Sequence, residues 1–189
     1  KHVHRMGIRL YVTPLNWSGI LEVEDIIDAT VINFYDAPRF KVKHTYLTSN
    51  EALNEKGNYM EVATRDNHLH VGTGSVTEAY LDGKPVSGNR TFHAFGEQAV
   101  EFSDVQVQEG QCVEIIKYVS MYTERECPAW NLHAKVEEEV RCFMEEGFDT
   151  ELAAHAEVYE EMWENANVEI GGDDTLDKAV RFNIFHLMS

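Results

Sequence analysis

Cysteine and basic residues are scarce in this sequence of 189 residues, and each shortage excludes something. The 3 cysteines form no C-x-x-C pair and cannot all pair within the chain, so a reduced compartment is the simpler interpretation. Only 16 residues are Lys or Arg against 33 Asp or Glu, and the resulting net charge of −17 repels phosphate backbones and anionic lipids. No apolar run reaches the roughly 20 residues that a membrane helix needs. We therefore expect neither a nucleic-acid nor a membrane partner.

The first two thirds of the chain carry the patterns of short β-strands. With 43% apolar and 11% aromatic residues, the composition is that of a folded protein with a proper core. Polar and apolar residues alternate in Gly7–Thr13, Asn58–Thr64 and Val100–Val107, and Gln111–Tyr122 is rich in β-branched and aromatic residues. Many short strands at this spacing predict an antiparallel sandwich.

After Cys127-Pro128 the apolar period becomes helical. One predicted helix is closed by Gly147, and a second is opened by Asp149 or Thr150. The apolar stripe of the first consists of Leu132, Val136, Val140, Phe143 and Met144, and that of the second of Leu152, His155, Ala156, Tyr159 and Trp163. The second stripe is typical of a helix that packs against a sheet. A sheet region followed by a helix region favours an α+β chain or two successive domains.

A third predicted helix has a beginning but no closing signal. Asp173 and Asp174 follow two glycines and can cap a first turn, and the apolar stripe then recurs at Leu176, Val180, Ile184 and Leu187. Phe182 and Phe185 lie off this stripe, so the helix is apolar on nearly every side. Such a helix is normally buried in a larger core. We therefore expect the working protein to continue past Ser189.

The pair His68 and His70 is the clearest metal-like pattern in the sequence. Two imidazoles two residues apart on a strand lie on one face, as metal sites in β-barrels require. A cupin would add a carboxylate four or five residues later, where this chain has Gly74 and Ser75. We therefore predict a plain polar strand face, no metal ligands, and a turn at Gly72–Ser75.

Other catalytic patterns are equally weak, and the sequence predicts no catalytic residue. Cys142 lies in a helix, Cys127 in a linker, and no G-x-S-x-G motif is present. Capping accounts for the adjacent acids Asp173 and Asp174, while Arg181 is isolated among the helices.

Asn183 differs from its neighbours because it is an amide at the edge of an apolar stripe. Burying an amide is unfavourable unless it has a hydrogen-bonding partner. A substrate hydroxyl or a backbone carbonyl could be that partner. Together with Phe182, Asn183 is the candidate for a sugar-binding position.

The tail of the sequence resembles glycoside hydrolase family 65, the inverting α-glucoside phosphorylases. The resemblance rests on His155 with Tyr159 and Trp163, followed by Asn167–Asp173 and Ala179–Leu187. Weaker similarities to the family's N-terminal sandwich lie earlier, in Val23–Asp28, Val31–Asn33, Lys43-His44 and Thr123–Arg125. Together they extend from about residue 9 to residue 189.

The resemblance implies a division of the chain into three parts. Residues 1–128 would form a partial antiparallel β super-sandwich whose first strands are missing, and 129–170 a helical linker. Residues 171–189 would begin a truncated (α/α)6 catalytic barrel. The family's catalytic glutamate and phosphate-binding loop lie beyond Ser189. The chain would therefore be inactive alone, and whether it counts as an enzyme stays open.

The resemblance also implies the partners of the intact enzyme. These would be an α-linked glucose disaccharide, inorganic phosphate as co-substrate without another cofactor, the missing barrel, and a second subunit in a homodimer. A cytoplasmic location is expected.

Two other functions stay open from the sequence. A free-standing carbohydrate-binding sandwich could use Trp17, Tyr80 and Trp130 as stacking platforms. A cupin-like metal protein would use His68 and His70.

Overall fold

The structure of the protein is a computed structural model, which describes residues 2–34, 41–54, 56–86 and 88–188. In this part of the chain, strands come first and helices last. The strands are β1 (Arg5–Val12), β2 (Gly19–Asp28), β3 (Asn33–Phe34), β4 (Lys41–Val42), β5 (Thr45–Ala52), β6 (Asn58–Thr64), β7 (His70–Leu81), β8 (Lys84–Val86), β9 (Arg90–Phe95), β10 (Gln98–Val107) and β11 (Val113–Thr123). A short 3₁₀ helix (Ala129–Asn131) precedes α1 (Leu132–Glu146), α2 (Phe148–Ala166) and α3 (Asp174–Met188).

The strands form two main antiparallel sheets. The central sheet has the order β1-β11-β7-β6-β5, with β8 paired to β7, and the outer sheet has the order β2-β10-β9. A short pair, β3-β4, accompanies them. The mainly β architecture with helices at the C-terminal end confirms the predicted fold class.

By its contacts the chain divides into two compact units. The first is His2–Phe148, and the second comprises the described residues from Asp149 onward. Helix α1 thus belongs to the same unit as the sandwich, although the sequence grouped it with the linker. No helix in the described ranges combines the length and apolarity needed to cross a membrane.

In the first unit, the central sheet is the middle of three layers. One apolar core lies between this sheet and the outer sheet, and a second lies between the central sheet and α1. The first core contains Ala79, Val105, Val107, Val113 and Ile115. The second contains Leu53, Tyr59, Val76, Ile116, Tyr118, Tyr122, Leu132, Val136, Val140 and Phe143. The amphipathic stripe predicted for α1 supplies four of these residues, and it is the face that packs on the sheet.

Glycines in β7 allow α1 to approach the central sheet closely. A Cβ at Gly74 would lie 2.5 Å from Cγ1 of Val136, and one at Gly72 would lie 2.8 Å from the hydroxyl of Tyr59. The turn predicted at Gly72–Ser75 is therefore wrong, because these residues form the interior of β7. The glycines are required for packing rather than for a change of chain direction.

An ionic network joins α1 to the edge of the central sheet. The guanidinium of Arg5 on β1 donates to Glu139 and Glu146 of α1, each at 2.7 Å. The hydroxyl of Tyr122 on β11 also donates to Glu139, at 2.8 Å. Burial alone would raise the pKa of Glu139, but the hydrogen bonds from Arg5 and Tyr122 outweigh it and hold that pKa below its usual value.

The outer sheet leaves one flank of the central sheet uncovered. Met6, Ile8 and Leu10 on β1 are 56%, 44% and 55% exposed, whereas Ile115 and Val119 on the neighbouring β11 are buried. Residues of the two strands that lie opposite each other share a face, and Ile115 belongs to the core between the two sheets. All five side chains therefore point toward the outer sheet. Among the described residues, no strand pairs with the free edge of β2. The sandwich is therefore open beside β1.

The close approach at Gly74 can be tested with a double-mutant cycle. Gly74→Ala is expected to lower the free energy of unfolding by about 1–3 kcal/mol, because the new methyl group collides with Val136. In a Val136→Ala background the same change should be less destabilising by about 1 kcal/mol. Urea unfolding of the four proteins measures this coupling. Gly171→Ala, with nothing within 4 Å of the added Cβ, is the matched control, and strictly additive effects would contradict the account.

The acid sensitivity of the network can be tested with Glu139→Gln. Because the pKa of Glu139 is lowered in the folded state, its contribution is complete above its ordinary value of 4.5 and is lost as the pH falls through the lowered folded pKa. The variant should be less stable than the parent at pH 7 by about 2 kcal/mol. Urea midpoints measured at a series of pH values should show this difference in stability shrinking steadily as the pH falls below 4.5. A gap that stays constant with pH would rule out the ionised carboxylate as its source.

Candidate functional site

The second unit is a pair of helices, α2 and α3, joined by a loop at Gly171-Gly172. Gly172 has φ +89°, a conformation that glycine adopts without strain. Asp173 caps α3, because its Oδ1 accepts the N–H groups of Thr175 and Leu176 at 3.0 Å each. The predicted capping role of Asp173 is thus confirmed, while Asp174 is the first residue of the helix.

The two predicted sugar-binding residues lie next to each other on the exposed surface of α3. The side chain of Phe182 is 63% exposed, and its ring contacts His186 edge to face at 4.3 Å between centroids. Asn183 is also exposed, so its amide is open to solvent rather than buried at the edge of a core. The structure leaves both side chains accessible to a ligand or to further protein.

The predicted packing of α2 against a sheet is not seen, since none of its described residues is buried. The ring of Tyr159 instead lies 6.0 Å from that of Phe185 on α3 and 4.6 Å from that of His155. Periodicity identified the aromatic stripe correctly but could not identify what it contacts.

A hollow of about 460 Å³ lies in this unit beside Trp163. Its other lining residues are Glu160, Glu164, Asn167 and Arg181. Arg181 is not isolated as the sequence suggested, because its Nε lies 2.9 Å from Asp177 Oδ2 and a second nitrogen lies 3.8 Å from Glu169. Asp177 also accepts the backbone N–H of Ile170 at 2.9 Å. Arg181 and Asp177 therefore hold the loop between α2 and α3 beside the half-buried indole ring of Trp163.

His68 and His70 do not share a strand face, so that prediction is wrong. His68 lies in the turn before β7 with φ +55°, and its Nδ1 is 3.1 Å from the hydroxyl of Tyr46. His70 begins β7, and its Nδ1 is 2.6 Å from Glu61. Because the two imidazoles have different partners, the cupin-like arrangement has no geometric support.

Tyr59, Tyr80 and Cys127 of the first unit are poor nucleophiles. Burial and a hydrogen bond to Glu61 raise the pKa of Tyr59 far above its ordinary value. Burial and Glu78 raise the pKa of Tyr80 to about 12. Burial likewise raises the pKa of Cys127, so the thiol stays protonated near neutral pH.

The buried acid Asp25 has a structural environment. Its carboxylate accepts hydrogen bonds from Ser75 at 2.9 Å and from Thr77 at 2.7 Å, and Lys117 lies 2.7 Å away. The residue is 3% exposed. These partners join the two sheets and leave the carboxylate closed to a substrate.

A groove of about 630 Å³ lies beside α1 in the first unit. Its floor is apolar and contains Leu53, Val76 and Val140. On its rim Arg141 pairs with Glu145 at 2.8 Å, and Asn54 pairs with Glu137. Among the described residues that line the groove, no nucleophile is paired with a base.

The three aromatic residues considered for a binding module lie on separate elements. Trp17 is 40% exposed between β1 and β2, and Trp130 is 85% exposed in the 3₁₀ helix. Tyr80 packs against the core beneath α1. Their positions do not support one shared platform.

The sequence is similar to disaccharide phosphorylases along its whole length. It is 41% identical over 191 residues to a kojibiose phosphorylase of Thermoanaerobacter brockii, an alignment that covers 99% of this chain and 25% of the relative. A kojibiose phosphorylase of Caldanaerobacter subterraneus is 35% identical over 190 residues, covering 98% and 25%. An alpha,alpha-trehalose phosphorylase of T. brockii is 26% identical over 193 residues, covering 98% and 24%. The chain thus spans about a quarter of the length of these relatives.

The fold also matches a solved structure. A human-microbiome protein assigned as a kojibiose phosphorylase superposes with a TM-score of 0.74 at 9% identity, over 97% of this chain and 23% of that one. The model of the glycosyl hydrolase family 65 N-terminal domain matches residues 1–162. The chain therefore belongs to glycosyl hydrolase family 65.

Proposed function

We propose that this chain is the N-terminal, non-catalytic part of an inverting α-glucoside phosphorylase, which transfers the glucosyl group of a disaccharide to inorganic phosphate. The observation that carries this proposal is the 41% identity to a kojibiose phosphorylase along 99% of the chain but only 25% of that relative. Both kojibiose phosphorylases match almost all of this chain with about a quarter of their own length, as one shared part of a larger enzyme would.

The chemistry of such an enzyme needs groups that the described residues of this chain do not bring together. A carboxylic acid must protonate the glycosidic oxygen while phosphate attacks the anomeric carbon from the opposite face. The buried acids Asp25 and Glu101 are held inside the sandwich by Lys117 and Arg90, respectively. This environment favours a scaffolding role for the sandwich. Inorganic phosphate as co-substrate of the intact enzyme, without another cofactor, is part of the proposal.

The exposed apolar side chains of the helical pair support its assignment to the start of an (α/α)6 barrel. No described residue of α2 or α3 is buried. Helices with apolar residues on several sides require cover from further protein. The exposed large apolar residues of α2 and α3 are Leu152, Met162, Leu176, Phe182, Phe185 and Leu187.

The open flank of the sandwich beside β1 fits the same proposal. Met6, Ile8 and Leu10 would be covered if further polypeptide extended the outer sheet. The homodimer and the cytoplasmic location that the family resemblance implies are part of the proposal.

An activity assay tests the proposal on the longer polypeptide that contains this chain. With kojibiose, trehalose or maltose and inorganic phosphate, that polypeptide should release glucose 1-phosphate of inverted, β configuration. This chain alone should release none, because the attacking and protonating groups lie elsewhere. Phosphate-independent release of glucose by the longer polypeptide, or turnover by this chain alone, would contradict the proposal.

Asn183→Ala in the longer polypeptide tests the proposed sugar contact. Loss of one hydrogen bond to a sugar hydroxyl should raise KM about tenfold. Asn165→Ala is the matched control, because it removes an exposed amide from α2 whose Nδ2 bonds only to the backbone oxygen of Glu161 among its described contacts. Steady-state kinetics with varied disaccharide measures the change. Unchanged KM and kcat for Asn183→Ala would remove this residue from the sugar site.

A further inference from the structure

The outward face of the outer sheet carries an aromatic cluster that the proposed function does not use. Asp25 on β2 faces the central sheet, where it bonds Ser75 and Thr77, and it lies directly opposite Glu101 on β10. Alternate residues of β10 therefore point away from the central sheet, among them Gln98, Val100 and Phe102. The register places His93 opposite Val100, and Phe95 opposite Gln98, so both also point outward.

Three rings form the cluster, which we call the β9-β10 aromatic face: His93, Phe95 and Phe102. The rings of His93 and Phe95 are nearly parallel, at 17° with centroids 5.4 Å apart. Phe102 meets these rings edge to face, at 5.6 and 6.5 Å. Val100 also points outward but is only 4% exposed, whereas Phe95 remains 54% exposed. The part of this apolar surface that is open to solvent is therefore at Phe95.

Two carboxylates border this apolar surface on its β2 side. Glu24 lies opposite Phe102, and Asp28 lies opposite Gln98, whose Nε2 donates to Asp28 Oδ2 at 3.1 Å. Both acids are exposed. The outward positions of β2, β9 and β10 contain no Lys or Arg in the registered pairs. This chemistry disfavours a phosphate or another anion and favours a ligand that donates hydroxyl hydrogens.

We propose that the β9-β10 aromatic face binds a neutral pyranose. The C–H face of the sugar ring would lie on the exposed ring of Phe95, with the edge of Phe102 beside it, and a hydroxyl group would donate to Asp28. An apolar ring face bordered by hydroxyl donors matches an aromatic floor bordered by carboxylates. The choice of glucosides as the sugar rests on the proposed function, but the site is separate from Phe182 and Asn183.

Nuclear magnetic resonance titration of this chain tests the proposal. Glucose and maltose, added to the ¹⁵N-labelled protein, should shift amide signals of β9 and β10 around Phe95 and Phe102. Phe95→Ala should weaken binding about tenfold, because it removes an aromatic contact from an exposed position. Ile20→Ala is the matched control, an exposed apolar residue on the same face about 26 Å away along the strands. It should leave the affinity unchanged.

Three results would overturn the proposal. The first is the absence of any shifts on β9 and β10, and the second is equal saccharide affinities of the parent and Phe95→Ala. The third is that tetramethylammonium shifts these signals while glucose and maltose do not, which would identify a cation site instead. None of these results bears on phosphorolysis by the longer polypeptide, so failure here is distinguishable from failure of the proposed function.

Discussion

The close packing of α1 on the central sheet is the contact on which the rest of the first unit depends. Leu132, Val136, Val140 and Phe143 are each at most 1% exposed, and this burial requires the absence of side chains at Gly72 and Gly74. Because the helix covers one face of β7 and the outer sheet covers the other, β7 is buried on both faces. Its polar side chains must therefore find partners, as Ser75 and Thr77 do in Asp25 of the outer sheet.

Much of this arrangement could be predicted from the sequence, because the period of apolar residues reports local structure. Alternation located β6 at Asn58–Thr64, and the stripe and Gly147 gave both the buried face and the end of α1. The glycines of β7 and the turn at His68 were misinterpreted. Gly72 and Gly74 are required by a helix that lies about sixty residues later in the chain, and single-sequence patterns carry no record of such a contact.

The candidate site was less predictable for a related reason. Asp173 was identified as a cap because capping is local, whereas the partner of an aromatic stripe is not. The rings of α2 contact α3 within the described second unit, and Phe182 and Asn183 are exposed there. The β9-β10 aromatic face was missed because its three rings come together only through strand register. The family resemblance added what the residue patterns could not, namely the proposal that such exposed surfaces contact the rest of a larger enzyme.

We propose that the first unit is stable by itself, whereas the helical pair depends on polypeptide outside this chain. Amide hydrogen exchange tests this most directly, because it reports local opening residue by residue. In this chain alone, amides of α1 and β7 should exchange slowly and those of α3 should exchange fast. In the longer polypeptide, α3 should become as protected as α1. Equal, strong protection of α1 and α3 in this chain alone would contradict the account.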